Sequence, residues 1–329
     1  MSAQKAHKQH NMDVSTQWNS LGADEWHARL AKVKRLNLLQ SEDYLYAMAK
    51  MNQQRISRGL ILVDGREAGI CSMLEAGLFK NAIHAMLLDR GPLWFEGFGK
   101  PEHVEGFVSD LAAKYPKRLG RRIRFIPEFE DTLAARQLMQ DCGYKLGSAD
   151  GYETIWLDLR PSLEDLRKSL NPKWRNKLNQ SERKSLEIIW SNAGTDSINS
   201  KWLMTQYIED KTLRKYDGPS YKTMKALGDS FSRGKNMYVG CALLDKQPIA
   251  GILLFIHGCS ATYQIGYTSD VGRENRAHYA LLWNVLEVLK DRQVYDLDLG
   301  GSNAEGAKGV RTFKKGMGGT IEKTLGLYH

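Results

Sequence analysis

The chain carries only four cysteines, Cys71, Cys142, Cys241 and Cys259, with no CxxC pair and no histidine at metal-ligand spacing. That excludes a disulfide framework and a zinc site and leaves buried free thiols as the expectation. No apolar run approaches the roughly 18 residues that a membrane-spanning helix needs. The polar start, MSAQKAHKQHNMD, has no apolar core of a secretory leader, so a cytoplasmic location is expected. No heptad pattern appears, which excludes a coiled coil. No serine or cysteine stands beside a histidine in a recognisable motif, which argues against an acyl-enzyme. Acidic residues are in the minority, 38 Asp and Glu against 47 Lys and Arg. The surplus favours polyanionic partners such as nucleic acid, phosphorylated substrates or anionic headgroups. It is concentrated in Lys114, Lys117, Arg118, Arg121, Arg122 and Arg124, and again over 167–184.

What is present is length and repetition. At 329 residues the chain exceeds the size at which one hydrophobic core stops growing, so two domains of about 150 residues each are expected. Leu60–Leu74, LILVDGREAGICSML, reads as a hairpin with an Asp64-Gly65 turn, and Leu243–Phe255, LLDKQPIAGILLF, repeats it with one more residue in the turn. Each hairpin is followed by strand, helix, strand, helix and strand. In the first copy these fall near 82–90, 102–114, 122–129, 131–141 and 152–159; in the second near 261–268, 277–291, 295–299, 306–315 and 320–327. A series repeated at half the chain length predicts a duplicated α+β domain. Tyr279, Leu282, Leu286 and Leu289 share one face of the second helix, as core packing requires. Asn171-Pro172 offers an N-cap and a first-turn proline, predicting a helix through NPKWRNKLNQSERKSLE.

The segment Asp296–Gly319, DLDLGGSNAEGAKGVRTFKKGMGG, reads as a buried strand, a glycine turn and a short basic helix bearing Phe313 and Lys314. Glycines at the strand end admit close approach, and Lys308, Arg311, Lys314 and Lys315 bring positive charge there. Helical spacing puts Arg311 and Lys315 on one face and turns Lys314 elsewhere.

Two copies of this element order look like the GNAT acyltransferase fold in tandem. The segments LLQSEDY, DRGPLW, PKWRNKLNQSERKSLEI, DLDLGG, GVRTFKKGMGG and the terminal LGLY resemble, in order, those of the Fem family of peptidoglycan-bridge aminoacyltransferases. The resemblance implies an α+β chain of two GNAT-like domains, 1–157 and 158–329, with the last strand able to pack on the first domain. It also implies an amide-forming enzyme that takes an aminoacyl group from aminoacyl-tRNA, without metal or organic cofactor, and places it on a peptide amine of a cell-wall precursor. Lys314 would be the cation at the developing oxyanion, and Phe313 would shape the pocket for the tRNA acceptor end. The family's diphosphate clamp has its nearest counterparts, Lys50 and Arg214, at shifted places. Polar lining candidates are Arg175, Arg214, Tyr263, Tyr267, Tyr279 and Asn303.

Other readings stay open. A CoA-dependent GNAT enzyme holds pyrophosphate on a Q/R-x-x-G-x-G/A turn, and the equivalent GRENRAH, Gly272–His278, has Arg276 where the first glycine would stand. An acyl-CoA-dependent N-acyltransferase of surface-glycan assembly is the alternative enzyme, and a non-catalytic RNA-binding module the alternative class. A lipid-linked acceptor would bring peripheral contact with the inner membrane face.

Overall fold

A computed structural model describes residues 12–149, 151–301 and 308–329. The first half comprises β1 (Val14–Trp18), α1 (Ala23–Leu30), α2 (Glu42–Asn52), β2 (Arg55–Val63), β3 (Arg66–Leu78), β4 (Ile83–Gly91), β5 (Leu93–Trp94), α3 (Pro101–Lys114), β6 (Arg121–Pro127) and α4 (Leu133–Asp141). Next come β7 (Glu153–Asp158), α5 (Leu163–Ser169), α6 (Pro172–Glu182), β8 (Glu187–Ser191), α7 (Ile198–Arg214) and α8 (Tyr221–Arg233). The second copy follows as β9 (Met237–Leu244), β10 (Gln247–His257), β11 (Ser260–Thr268), α9 (Asp270–Glu274), α10 (Ala277–Asp291), β12 (Asp296–Asp298), α11 (Lys308–Lys315) and β13 (Thr320–Lys323).

The duplication is visible in the hairpins. Asp64-Gly65 has φ of 49° and 74°, and Asp245-Lys246 has φ of 50° and 63°. Two left-handed residues in a row make the turn whose twist suits the flanking strands. A bulge follows in each copy, at Ala68 and at Ile249. The turns are therefore equal in length, contrary to the sequence expectation. The additional residue of the second copy lies beyond the bulge and moves Gly251-Ile252 one place along.

One sheet runs β1-β2-β3-β4-β6 with β5 beside β3, and the other runs β8-β9-β10-β11-β12-β7-β13. In each, the third hairpin-series strand pairs in parallel with the strand after the helix, β4 with β6 and β11 with β12. The segment expected to close the first unit does not do so. As β7 it lies between β12 and β13 in the second sheet, antiparallel to both. The edge it leaves on β6 is met from the other end of the chain, where Phe125 and Tyr328 exchange backbone hydrogen bonds of 2.9 and 2.7 Å.

The predicted helix after Pro172 stops at Glu182, and 187–191 form β8 instead. Ile188 and Trp190 pack against one core and Ile189 against the other, a period-two placement that only a strand satisfies. α10 forms as read, burying Leu281, Leu282, Val285, Leu286 and Leu289, each contributing about 1.5–3 kcal/mol by leaving water. A further core joins the halves: Leu45, Met48 and Leu74 pack with Leu203, Phe231 and Phe255. All four cysteines are free; Cys71 and Cys241 are buried as expected, but Cys142 is half-buried and Cys259 exposed.

Candidate active site

β11 and β12 pair only over Ser260–Thr262 and Asp296–Asp298. β11 runs on to Thr268, while the chain after β12 turns away through Gly300 at φ 74°. Glycine is needed there twice over, because that φ disfavours a side chain and a Cβ would lie 2.7 Å from the carbonyl oxygen of Tyr263. The two strands thus part, and the wedge between them receives Lys314.

Lys314 is 6% exposed, although Arg311 and Lys315 on the same helix face water. Its Nζ donates to the carbonyls of Gly300 and Gly301 at 3.1 and 2.9 Å, so among the described residues two of its three ammonium hydrogens have acceptors. It also lies 5.5 Å from the centre of the Tyr263 ring. Burial lowers its pKa from 10.5 to about 8, against the pull of Asp298, so the group is still charged at neutral pH.

Asp298 is the buried counter-charge. Its Oδ1 accepts from the amide of Gly300 at 2.8 Å and from the hydroxyl of Thr154. Burial raises its pKa, and Arg90 from the first half is foremost among the groups opposing that. Arg90 is itself buried, paired through two nitrogens with Glu128 at 2.5 and 2.6 Å and stacked 4.7 Å from the Tyr152 ring. The first half therefore reaches the site through its electrostatic field.

On the other side of Lys314, His278 in the first turn of α10 is held at both ring nitrogens, Nε2 3.0 Å from the Tyr263 hydroxyl and Nδ1 2.8 Å from Thr268 Oγ1. Loss of water, with the charge of Lys314, lowers its pKa to about 4, so it is neutral at pH 7. Phe313 meets Tyr279 edge-on at 4.9 Å and also packs on His278 and Trp174. A charged donor thus stands beside an aromatic wall, an arrangement able to bind a carbonyl that becomes anionic next to a flat or apolar group.

Of the residues singled out in the sequence, Lys314, Phe313, Tyr263 and Tyr279 come together. Arg175, half-buried on α6, follows Trp174 and so lies on the helix that meets the aromatic wall. Arg214 does not join them: it is exposed at the end of α7 and pairs with Asp210 at 2.7 Å. Tyr267 does not either. Regular alternation would set Tyr263 and Tyr267 on one face, but the register shifts between Leu253 and Leu254. Tyr263 consequently packs with the core around α10, whereas Tyr267 packs on Trp202 of α7. Asn303 lies outside the described residues. Sequence reasoning missed His278, Trp174, Thr154 and Asp298. Only Asp298 left a signal, as the second of two alternating aspartates in an otherwise apolar strand.

No protein-family model matches the chain, and no curated protein does. Solved structures do. The crystal structure of FemX superposes with a TM-score of 0.74 at 14% identity, covering 95% of this chain and 96% of that one. The C-terminal domain of a putative lysylphosphatidylglycerol synthetase from Agrobacterium fabrum gives 0.53 at 14% identity over 92% of both chains. A tandem GNAT protein from the clavulanic acid biosynthesis pathway gives 0.51 at 12% identity, over 96% of this chain and 97% of that one. The chain therefore has a tandem GNAT acyltransferase fold. In its arrangement of the two halves that fold is Fem-like.

Proposed function

We propose that this chain is an amide-forming aminoacyl- or acyltransferase acting on a cell-envelope component, with the acyl carbonyl seated where β11 and β12 part. The observation that carries the reading is the buried, charged Lys314 at that opening, with two of its three N–H groups bonded among the described residues. Structural likeness to FemX and to a putative lysylphosphatidylglycerol synthetase domain supports the envelope and the aminoacyl donor. In the reaction an amine attacks the ester carbonyl of an aminoacyl-tRNA. The C–N bond forms, the C–O bond to the terminal ribose breaks, and the amine proton ends on the released hydroxyl. Lys314 stabilises the carbonyl oxygen while it is anionic, a contribution worth about 10²–10³ in rate for one such donor. Phe313, Tyr279 and Trp174 flank the acyl chain or terminal base. No metal or organic cofactor takes part in this scheme.

The test is transfer of label from a tRNA pool charged with radioactive amino acids to a peptide-bearing cell-wall precursor with a free side-chain amine. Label that survives mild base as an amide supports the proposal. Failure to transfer from charged tRNA and, in parallel, from acetyl-CoA overturns it.

One observation favours the CoA-dependent reading. Arg276, at the N-cap of α10, holds φ 58°, so the turn has a glycine-like backbone despite its side chain. The guanidinium Nε of Arg276 is buried without a hydrogen-bond partner among the described residues, and helix N-termini favour anions. Acetyl-CoA raising the melting midpoint, with charged tRNA failing to do so, would select that reading.

A further inference from the structure

The first half carries a feature that transfer chemistry leaves unused. The β3–β4 hairpin ends in Leu78 and Phe79, 62% and 80% exposed, with Ile83 at 52%; beside it, on the loop before β6, Leu119 is 99% exposed. The two tips are tied together. The guanidinium of Arg118 donates to the carbonyls of Asn81 and Ala82, and the amide of His84 donates to the carbonyl of Gly120 at 2.8 Å. Phe79, Lys80 and Asn81 all take left-handed φ, 51°, 54° and 67°, each at a cost of about 1–2 kcal/mol for a residue with a side chain. The fold thus holds Phe79 out in water rather than letting it fold back.

Behind the tips lies a cavity of about 330 Å³ whose walls include Tyr115, Ile123 and Tyr144. Among the described residues its charged lining is all of one sign: Lys117, Arg118, Arg121, Arg122 and Lys145, with no aspartate or glutamate. None of the five makes an ion pair among the described residues; Lys117, Arg118 and Arg121 donate to backbone carbonyls instead. The Tyr144 hydroxyl, on a residue 4% exposed, is buried with no hydrogen-bond partner among them. Protruding apolar tips backed by uncompensated cations match a surface that is oily within and negative at its face.

We propose that this end of the molecule docks on an anionic lipid bilayer, with Phe79 and Leu119 entering the acyl boundary and the cationic cavity holding headgroup phosphates. The contact proposed is a peripheral one; no helix of the described residues is long and apolar enough to cross a membrane. It does not rest on Lys314 and stands or falls apart from the reaction.

The experiment is co-sedimentation of the full chain with vesicles of phosphatidylcholine alone and of phosphatidylcholine with an equal part of phosphatidylglycerol. Binding is expected to the mixed vesicles and to weaken as salt is raised. The double substitution Phe79→Asp with Leu119→Asp, at exposed sites that leave the melting midpoint unchanged, should weaken it about tenfold or more. Arg122→Glu with Lys145→Glu should weaken it by a comparable factor, since each cation near the surface adds measurable affinity. Mixed vesicles bound as well by the Phe79/Leu119 variant as by the wild type would overturn the proposal. So would charge reversal that abolishes retention of bulk RNA while vesicle binding persists.

Discussion

The two copies of the repeat treat the same pair of strands in opposite ways. In the first, β4 and β6 pair from His84–Arg121 to Gly91–Pro127, and the strands stay zipped. In the second, β11 and β12 separate after Thr262 and Asp298. The helix that follows differs accordingly: the buried residue of α4 is Met139, whereas α11 sends in the ammonium of Lys314. A closed seam can be lined with apolar groups and gains stability. An open one must be filled, here by a buried charge. Holding Lys314 charged at its lowered pKa costs about 3 kcal/mol, taken from the fall from 10.5 to about 8. The first copy keeps its buried cation paired, Arg90 with Glu128, while the second holds Lys314 on backbone carbonyls.

The largest effect should come from the closed half. Glu128→Gln leaves the buried Arg90 guanidinium without its carboxylate, and urea unfolding should show a loss of about 3–5 kcal/mol. The folded variant should retain its turnover to within a few-fold. A large fall in turnover at unchanged stability would make the first half part of the chemistry and break the comparison.

Lys314→Met should do the reverse, lowering turnover by about 10²–10³ while the unfolding free energy stays level or rises, because a buried charge has been removed. The pH dependence carries the same sign. Between about 8 and 10.5 the unfolded chain holds a proton on this lysine that the folded chain has lost, so stability should rise with pH across that window by up to about 1.4 kcal/mol per pH unit. Turnover should fall as pH climbs past 8. In Lys314→Met this contribution to the slope should vanish.

Gly300→Ala sharpens the account of the opening. Its new Cβ would press on the Tyr263 carbonyl at a left-handed φ, and a loss of about 1–3 kcal/mol by thermal unfolding is expected. The smallest effect belongs to Tyr267→Phe, which should leave turnover within about twofold because the bulge turns Tyr267 to the other face. Tyr263→Phe removes the hydroxyl that holds His278 and should lower turnover measurably.

The duplicated fold was legible because it is written in local signals: matching hairpins, an apolar stripe on α10, and a proline at the start of α6. The site was half legible. Phe313 and Lys314 stood out as a short motif after a glycine turn, and helical spacing already separated Lys314 from Arg311 and Lys315. That Lys314 is buried rather than exposed depends on strands parting, which no residue at α11 announces. Tyr267 was misplaced by a one-residue bulge that inverts alternation, and Arg214 by reading proximity to a motif as proximity in space. The placement of β7 depends on which of two sheets has a free edge. Such competition is settled only when both sheets exist. His278 and Trp174 gave no signal, since their roles come from partners far along the chain.

The claim most open to contradiction is that Lys314 is a buried ammonium poised for an anion. NMR titration of the ε-carbon of Lys314 in the intact chain, with and without a phosphonate analogue of an aminoacyl ester, tests it directly. A pKa of about 8 that rises when the analogue binds is the predicted result. A value near that of a free lysine, indifferent to the analogue, would contradict the account.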